Sequence, residues 1–307
     1  MQKIVISGGT GFIGRAVVRA LLARGDDVTV LTRDPERAAG NAPARARFES
    51  WASEGDAFPK SIVGSSAVIH LAGHPAVGAR WSQKVKQEII ESRVSSTERL
   101  VAAMRAADVR PDVFVCASAI GYYGAHQDEP LDETSPPGDG FLARVTVEWE
   151  SAAAQAEALG VRVVRLRFGI VLGRGGGALS EMVKPFKLFV GGPIASGRQI
   201  VSWVHLDDVV GVIVRAVDDP RLHGPVNVTA PNAVTNEELS RVIGKVLHRP
   251  SAMRVPAAAL RVRFGEGADP LVTGQRAVPK VLERLGYAFR FVRVEDAVRD
   301  AVGDTPS

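Results

Sequence analysis

The 307-residue chain has one cysteine, Cys116. That excludes an internal disulfide framework and fits a reducing compartment, with the cytoplasm expected. Cys116 lies in an apolar run and reads as a packed, inert thiol. Aromatic residues are scarce at 6 %, and three of them are tyrosines: Tyr122, Tyr123 and Tyr287. No stretch reaches the roughly 18 uncharged apolar residues a membrane span needs, so no membrane association is expected. A solenoid-length repeat, a low-complexity tract and a Gly-x-Ser-x-Gly nucleophile elbow are all missing. His70 and His74 have no nearby cysteine or carboxylate to complete a metal site, so no metal is expected.

Neither sign of charge dominates. The 38 Lys+Arg against 34 Asp+Glu leave a net charge of +4. Residues 1–25 lack acids and carry +4, residues 26–248 carry −3, and residues 249–307 carry +3. Arg15, Arg19 and Arg24 interrupt the first apolar stretch, and no small-residue cleavage site follows it, which argues against a signal peptide. Bases are interspersed with acids and no aromatic-rich basic platform exists, so no nucleic-acid partner is expected. A hydrophobic share of 46 % with 23 % charged residues is ordinary globular composition.

What is present is an alternation of strands and helices. Lys3–Ser7, Val28–Leu31, Arg47–Trp51, Ala67–Leu71, Asp112–Cys116 and Val161–Leu166 read as short, mostly apolar strands. Phe12–Ala23, Ser82–Ala107 and Leu142–Leu159 carry apolar residues at helical spacing. The order predicts an α/β fold with a parallel, doubly wound sheet whose ligand edge lies at the strand C-termini. After residue 170 glycine loops and proline-punctuated segments take over. We expect a dinucleotide-binding domain over 1–170, with 200–230 returning to it. A smaller substrate or cap lobe would comprise 171–199 and 231–307.

Gly8, Gly11 and Gly14 sit between the first strand and the first helix. They permit a tight turn, backbone approach to a pyrophosphate and close helix–strand packing, with the helix N-terminus offering N–H groups to phosphate. Strand–loop–helix context makes this a strong dinucleotide signal. Thr10, Phe12, Ile13 and Arg15 share the loop. A reader of the ribose 2′-hydroxyl would place an acid at the end of the second strand. Thr32 and Arg33 stand there instead, which favours NADP(H) over NAD(H).

These motifs resemble the extended short-chain dehydrogenase/reductase superfamily. So do Leu71-Ala72-Gly73 after the fourth strand, Ser118–Gly124 after the fifth, and Trp203–Asp208. Arg80-Trp81-Ser82, Glu91–Val94, Gly169–Gly173, Gly191-Gly192-Pro193, Ser196–Gln199 and Ala230–Asn236 are similar to its atypical "epimerase family protein" branch. That branch is grouped with nucleoside-diphosphate-sugar epimerases and carries a C-terminal domain of unknown function, which Leu247–Pro250 and Gly274-Gln275-Arg276 resemble. The likeness spans roughly residues 2–300. It implies a Rossmann fold, NADP(H), and contacts from Leu71, Ala72 and Gly73 to the cofactor.

The resemblance fails at the catalytic signature. Such enzymes pair a Ser/Thr with Tyr-x-x-x-Lys: the phenol exchanges a proton, the lysine tunes it and the hydroxyl polarises a carbonyl. Ser118 can supply the hydroxyl, but Phe141 stands where the tyrosine belongs and Val145 where the lysine belongs. Tyr122 and Tyr123 are the remaining catalytic candidates. Glu148 and Glu150 read as solvated or packing residues. Arg167 follows the sixth strand at the ligand edge and is a candidate substrate contact, since a cation there meets phosphate or carboxylate. Arg93 lies on the charged part of the long helix, where a structural ion pair is the default, and the resemblance implies a substrate-pocket role for it. Asp207 and Asp208 are expected to cap a helix running to Val217, with His205 structural.

Two functions follow: an NADP(H)-dependent oxidoreductase or epimerase acting on a small polar substrate such as a nucleotide sugar, or a non-catalytic NADP(H)-binding sensor. By analogy alone, a homodimer would use the helices at 82–107 and 142–159.

Overall fold

The computed structural model describes residues 1–40, 45–51, 59–126 and 128–303, so the last four residues of the expected lobe lie outside it. In chain order the elements are β1 (Lys3–Ser7), α1 (Phe12–Arg24), β2 (Asp27–Thr32), α2 (Pro35–Ala39), β3 (Arg47–Ser50), β4 (Ala67–His70), α3 (Gln83–Ile90) and α4 (Ser96–Ala106). β5 (Val113–Ala119), β6 (Pro130–Leu131), α5 (Phe141–Ala154), β7 (Arg162–Phe168), β8 (Ile170–Leu172) and α6 (Gly177–Lys187) follow. The chain continues through β9 (Ile200–Val201), β10 (Trp203–His205), α7 (Leu206–Asp218), β11 (Gly224–Val228), β12 (Val234–Thr235) and α8 (Asn236–Leu247). It closes with α9 (Ala257–Phe264), α10 (Asp269–Val272), β13 (Arg276–Ala277), α11 (Lys280–Arg284) and α12 (Val294–Val302).

Seven strands form one parallel sheet in the order β11-β7-β5-β4-β1-β2-β3. β4 is buried at every position because helices cover both faces, which is why its sequence is continuously apolar rather than alternating. One face packs Val17, Leu21, Val209 and Ile213 of α1 and α7 against Ile4, Ile6 and Ile69. The other packs Leu100, Met104, Trp149 and Ala153 of α4 and α5 against Val5, Val68 and Phe114. Gly25 closes α1 at φ 92°, a left-handed cap that glycine adopts without strain.

The smaller C-terminal domain has its own core of Leu172, Phe186, Trp203, Leu239, Ile243 and Val298 from α6, α8 and α12 with their strands. Asp208 ties it down. Its carboxylate accepts the backbone N–H groups of Arg290 (2.7 Å) and Phe291 (3.0 Å). Glu133 does the same for Asn227 (3.0 Å) and Val281 (3.2 Å). Lys86 of α3 pairs with Glu266.

Three local expectations change. The helix over 82–107 is α3 and α4 joined by a π-helical turn, Glu91–Ser95. β5 runs on to Ala119, so Ser118 belongs to the strand. The imidazole of His205, not an aspartate, caps α7 by accepting the N–H of Asp207 at 3.1 Å.

Candidate active site

The glycine loop folds tightly onto the end of β4. A Cβ at Gly8, where φ is +75°, would lie 2.6 Å from the backbone of Leu71 and Ala72, and one at Gly14 would lie 2.1 Å from the Gly8 carbonyl. Only glycine permits this closure, and it brings Gly8–Gly14 and Leu71–Gly73 to one edge. Gly11 stands at the N-cap of α1 with no side-chain cap and no acid in the first turn. The first N–H groups of α1 are thus left for an anion. Arg15 reaches back to the Thr10 carbonyl at 3.2 Å. The ring of Phe12 instead fills the space beside Gly173, Gly176 and Gly177. Ile13 packs on the core.

At the end of β2, Asp34 is consumed as a helix cap: its Oδ1 accepts the Arg37 N–H at 3.0 Å. The hydroxyl of Thr32 lies 3.4 Å from the Asp34 nitrogen. Arg33 is exposed and has neither hydrogen bond nor ion pair among the described residues. The donor set of open N–H groups, a glycine floor and an unpaired arginine fits a dinucleotide with an extra phosphate on its ribose.

Beyond β5 lies a buried polar network. Arg167 of β7 grips Glu150 of α5 through Nε (2.7 Å) and Nη2 (2.8 Å). Ser118 donates to the same carboxylate at 2.6 Å. Arg167 Nη1 donates to the Tyr123 hydroxyl at 3.0 Å, and that hydroxyl reaches Asn227 Oδ1 at 2.7 Å and the Asp132 carbonyl at 2.9 Å. Arg167 and Glu150 are 2 % and 5 % exposed. Burial alone would pull the Arg167 proton off more easily, but the Glu150 carboxylate outweighs it and holds the guanidinium charged. Burial pushes the Tyr123 phenol up to about 12, against the pull of Arg167.

This geometry alters three expectations. Glu150 is neither solvated nor a neutral packing residue, Arg167 spends its fork on a protein carboxylate, and Tyr123 is fully buried with its hydroxyl committed. Tyr122 differs. Its ring lies flat against Arg167, 3.5 Å from centroid to guanidinium carbon, and its hydroxyl has no hydrogen bond among the described residues. The signal for Glu150 was present in the sequence: Ala143, Thr146, Glu150 and Ala153 form one buried helical stripe, with a carboxylate on it.

The first turns of α5 pack against the segment after β5 and against Trp81. Leu142 and Thr146 lie beside Gly121, 3.7 and 3.9 Å from where its Cβ would be. Phe141 meets Trp81 edge-on at 5.1 Å between ring centroids, with Lys86 over its ring. α5 carries neither a tyrosine nor a lysine. Across from them, Arg93 stands on the π-turn with its guanidinium over the Trp149 ring and its Nη1 donating to the His74 carbonyl at 2.9 Å. His70 lies deeper, between Ser7 and Ser96, held neutral by burial and by Arg93 with its pKa lowered to about 3. His70 and His74 do not converge, and the described residues hold no cluster of three metal-ligating side chains. Cys116 is buried, and burial raises its thiol far above the usual range.

The NAD dependent epimerase/dehydratase family matches residues 4–229, and a Domain of unknown function (DUF1731) matches residues 255–301. The chain belongs to this family. The "Epimerase family protein SDR39U1 homolog, chloroplastic" of Arabidopsis thaliana is 41 % identical over 300 residues, 97 % of this chain and 86 % of the relative. The crystal structure of human epimerase family protein SDR39U1 (isoform 2) with NADPH superposes with a TM-score of 0.86 at 32 % identity, covering 97 % of this chain and 98 % of that one. UDP-glucuronic acid 4-epimerase from Bacillus cereus, in complex with UDP-glucuronic acid and NAD, shares the fold at a TM-score of 0.79 and 18 % identity, covering 97 % of each chain. The epimerase/dehydratase fold accounts for the parallel sheet and glycine loop. The missing tyrosine and lysine on α5 and the buried Glu150–Arg167 pair are features of this chain's own residues. No helix among the described residues is long and apolar enough to cross a membrane.

Proposed function

We propose that the chain binds NADP(H) and acts as an oxidoreductase or epimerase on a small polar carbonyl or alcohol, with nucleotide sugars the first class to test. The observation that carries this reading is Arg33, exposed just past β2 and without an ion pair among the described residues, at the point where a 2′-phosphate would need a cation. The glycine loop, Arg15 and the Leu71–Gly73 turn would hold the rest of the dinucleotide. The human relative crystallised with NADPH supports the same choice. Bound NADPH would supply a hydride equivalent. Proton exchange would then fall to Tyr122, whose hydroxyl has no hydrogen bond among the described residues, whereas those of Ser118 and Tyr123 are engaged with Glu150 and Asn227. Nucleotide sugars enter as a class because the fold neighbour from Bacillus cereus binds one.

A second reading is a non-catalytic NADP(H)-binding sensor. It is favoured by α5, which offers neither a phenol nor an ammonium. Titrating NADPH and NADH, then following NADPH oxidation against carbonyl compounds and, with NADP+ bound, the formation of epimers from nucleotide sugars, separates the two. Turnover on any of them supports the enzyme. Tight NADPH binding with no turnover supports the sensor, and failure to bind either nucleotide overturns both.

A further inference from the structure

A charge taken out of water is ordinarily paired, because an uncompensated one is costly. Arg93 breaks that rule. Its side chain is half-buried, yet no carboxylate among the described residues lies within ion-pair distance. The nearby acids are engaged elsewhere. Glu88 faces His74 and Lys84, Glu91 accepts from Gln87, and Glu150 is gripped by Arg167. Burial pulls the Arg93 pKa down to about 10, the direction expected of a cation lacking a counter-ion.

One edge of the guanidinium is fixed. Nη1 donates to the His74 carbonyl (2.9 Å) and the Ile89 carbonyl (3.3 Å), while Ser92 Oγ accepts the His74 N–H at 2.9 Å. Trp149 supports one side, and Gly73 leaves room close by: a Cβ there would sit 3.5 Å from the guanidinium carbon. The π-turn that carries Arg93 is held open by the hydroxyls of Ser96 and Thr97, which donate to the Ser92 and Arg93 carbonyls at 2.8 and 2.6 Å. Such turns recur at functional sites. The opposite edge, Nε and Nη2, donates to nothing among the described residues, and neither atom is sealed from solvent. That edge is the two-donor fork that binds a carboxylate or phosphate with two parallel hydrogen bonds.

We infer that Arg93 is the receptor for an oxyanion of the substrate, a carboxylate or phosphate held by Nε and Nη2 beside Gly73. The inference rests on the proposed NADP(H) reading only for the cofactor's placement. The anionic groups of the dinucleotide would have partners at the α1 N-terminus and Arg33, after β1 and β2. Arg93 lies past β4, beside Gly73 and over the Trp149 ring of α5.

The test titrates oxalate, acetate and inorganic phosphate calorimetrically into the full chain saturated with NADP+, comparing the wild type with Arg93→Gln, Arg93→Lys and Arg33→Asp. The expected result is binding of at least one anion to the wild type and weakening of about tenfold or more in Arg93→Gln. Arg93→Lys should retain part of the affinity. Which anion binds more tightly identifies carboxylate or phosphate. No anion binding to the wild type, or equal binding to Arg93→Gln, overturns the inference. A loss of NADPH affinity in Arg93→Gln as large as that in Arg33→Asp also overturns it, because the anion would then belong to the cofactor. Should Arg93→Gln fail to fold, phenylglyoxal labelling of Arg93 in the wild type decides. Slowing by the bound anion supports the inference, and labelling that is absent or unaffected overturns it.

Discussion

Arg33 is one residue past β2, and its role depends on what its neighbour does. Asp34 would neutralise it were its carboxylate not capping α2. Replacing Arg33 with aspartate should invert the nucleotide preference, weakening NADPH by about tenfold to a hundredfold because a charge-assisted hydrogen bond contributes roughly 1.5–3 kcal/mol. An unchanged preference in competitive nucleotide titration would remove Arg33 from the 2′-phosphate site. The adjacent tyrosines should separate cleanly. Tyr122→Phe is expected to abolish turnover while leaving NADPH affinity and stability intact. Tyr123→Phe deprives buried Asn227 Oδ1 of its donor, and should lower unfolding stability by about 1–3 kcal/mol in urea titration with less effect on turnover. Equal loss of turnover in both variants would refute the assignment. Sequence alone could not rank the pair, because both tyrosines follow the same strand and only tertiary packing buries one.

At the scale of elements, the joint between α3 and α4 was the least legible. Apolar residues at 85, 89, 90, 94, 100, 101 and 104 keep helical spacing, so the helix was visible and its extra-wide turn was not. A π-turn leaves little trace in spacing. It is sustained by hydroxyls that bond backward to carbonyls, which looks like an ordinary run of serines. Thr97 joins this turn to α5, since its hydroxyl also accepts the Trp149 indole N–H at 3.0 Å. Thr97→Val keeps the shape and removes both bonds. The expected cost is about 1–3 kcal/mol for the orphaned indole, read from denaturant midpoints. Near-wild-type stability would show that Trp149 finds another acceptor. The strands were far easier to read, because a parallel sheet covered on both faces demands unbroken apolar runs such as Ala67–His70.

At the scale of the whole molecule, two histidines are buried in the fold and held toward the neutral form. Burial lowers the pKa of His70 to about 3, and burial also lowers that of His205 despite the pull of Asp207 and Asp300. Unfolding restores an ordinary value near 6.5, so below that pH the unfolded chain binds more protons. Stability is thus fully present above about pH 6.5 and is lost as pH falls toward each lowered pKa, by up to about 1.4 kcal/mol per pH unit for each histidine. Urea midpoints measured from pH 7.5 to 5.5 should fall, and His70→Gln should flatten the slope. A pH-independent midpoint over that range would contradict the burial of both rings. His205 adds a mechanical role, since it caps α7 while Asp208 in the first turn holds the segment that leads into α12.

Local physics determined the sheet, the glycine loop and the NADP(H) expectation, because strand patterning, glycine spacing and the residue after β2 act over a few neighbours. The missing Tyr-x-x-x-Lys was equally plain from residue identity. Tertiary structure decided which charges are spent. Arg167, after a strand, and Arg93, on a long helix, were both candidate substrate contacts in the sequence. β7 and α5 bring Arg167 against Glu150 across 17 residues and bury both, whereas the π-turn leaves Arg93 with one edge anchored on backbone and the other open. Pairing depends on which distant carboxylate the packing delivers, and that information lies in contacts no single segment contains.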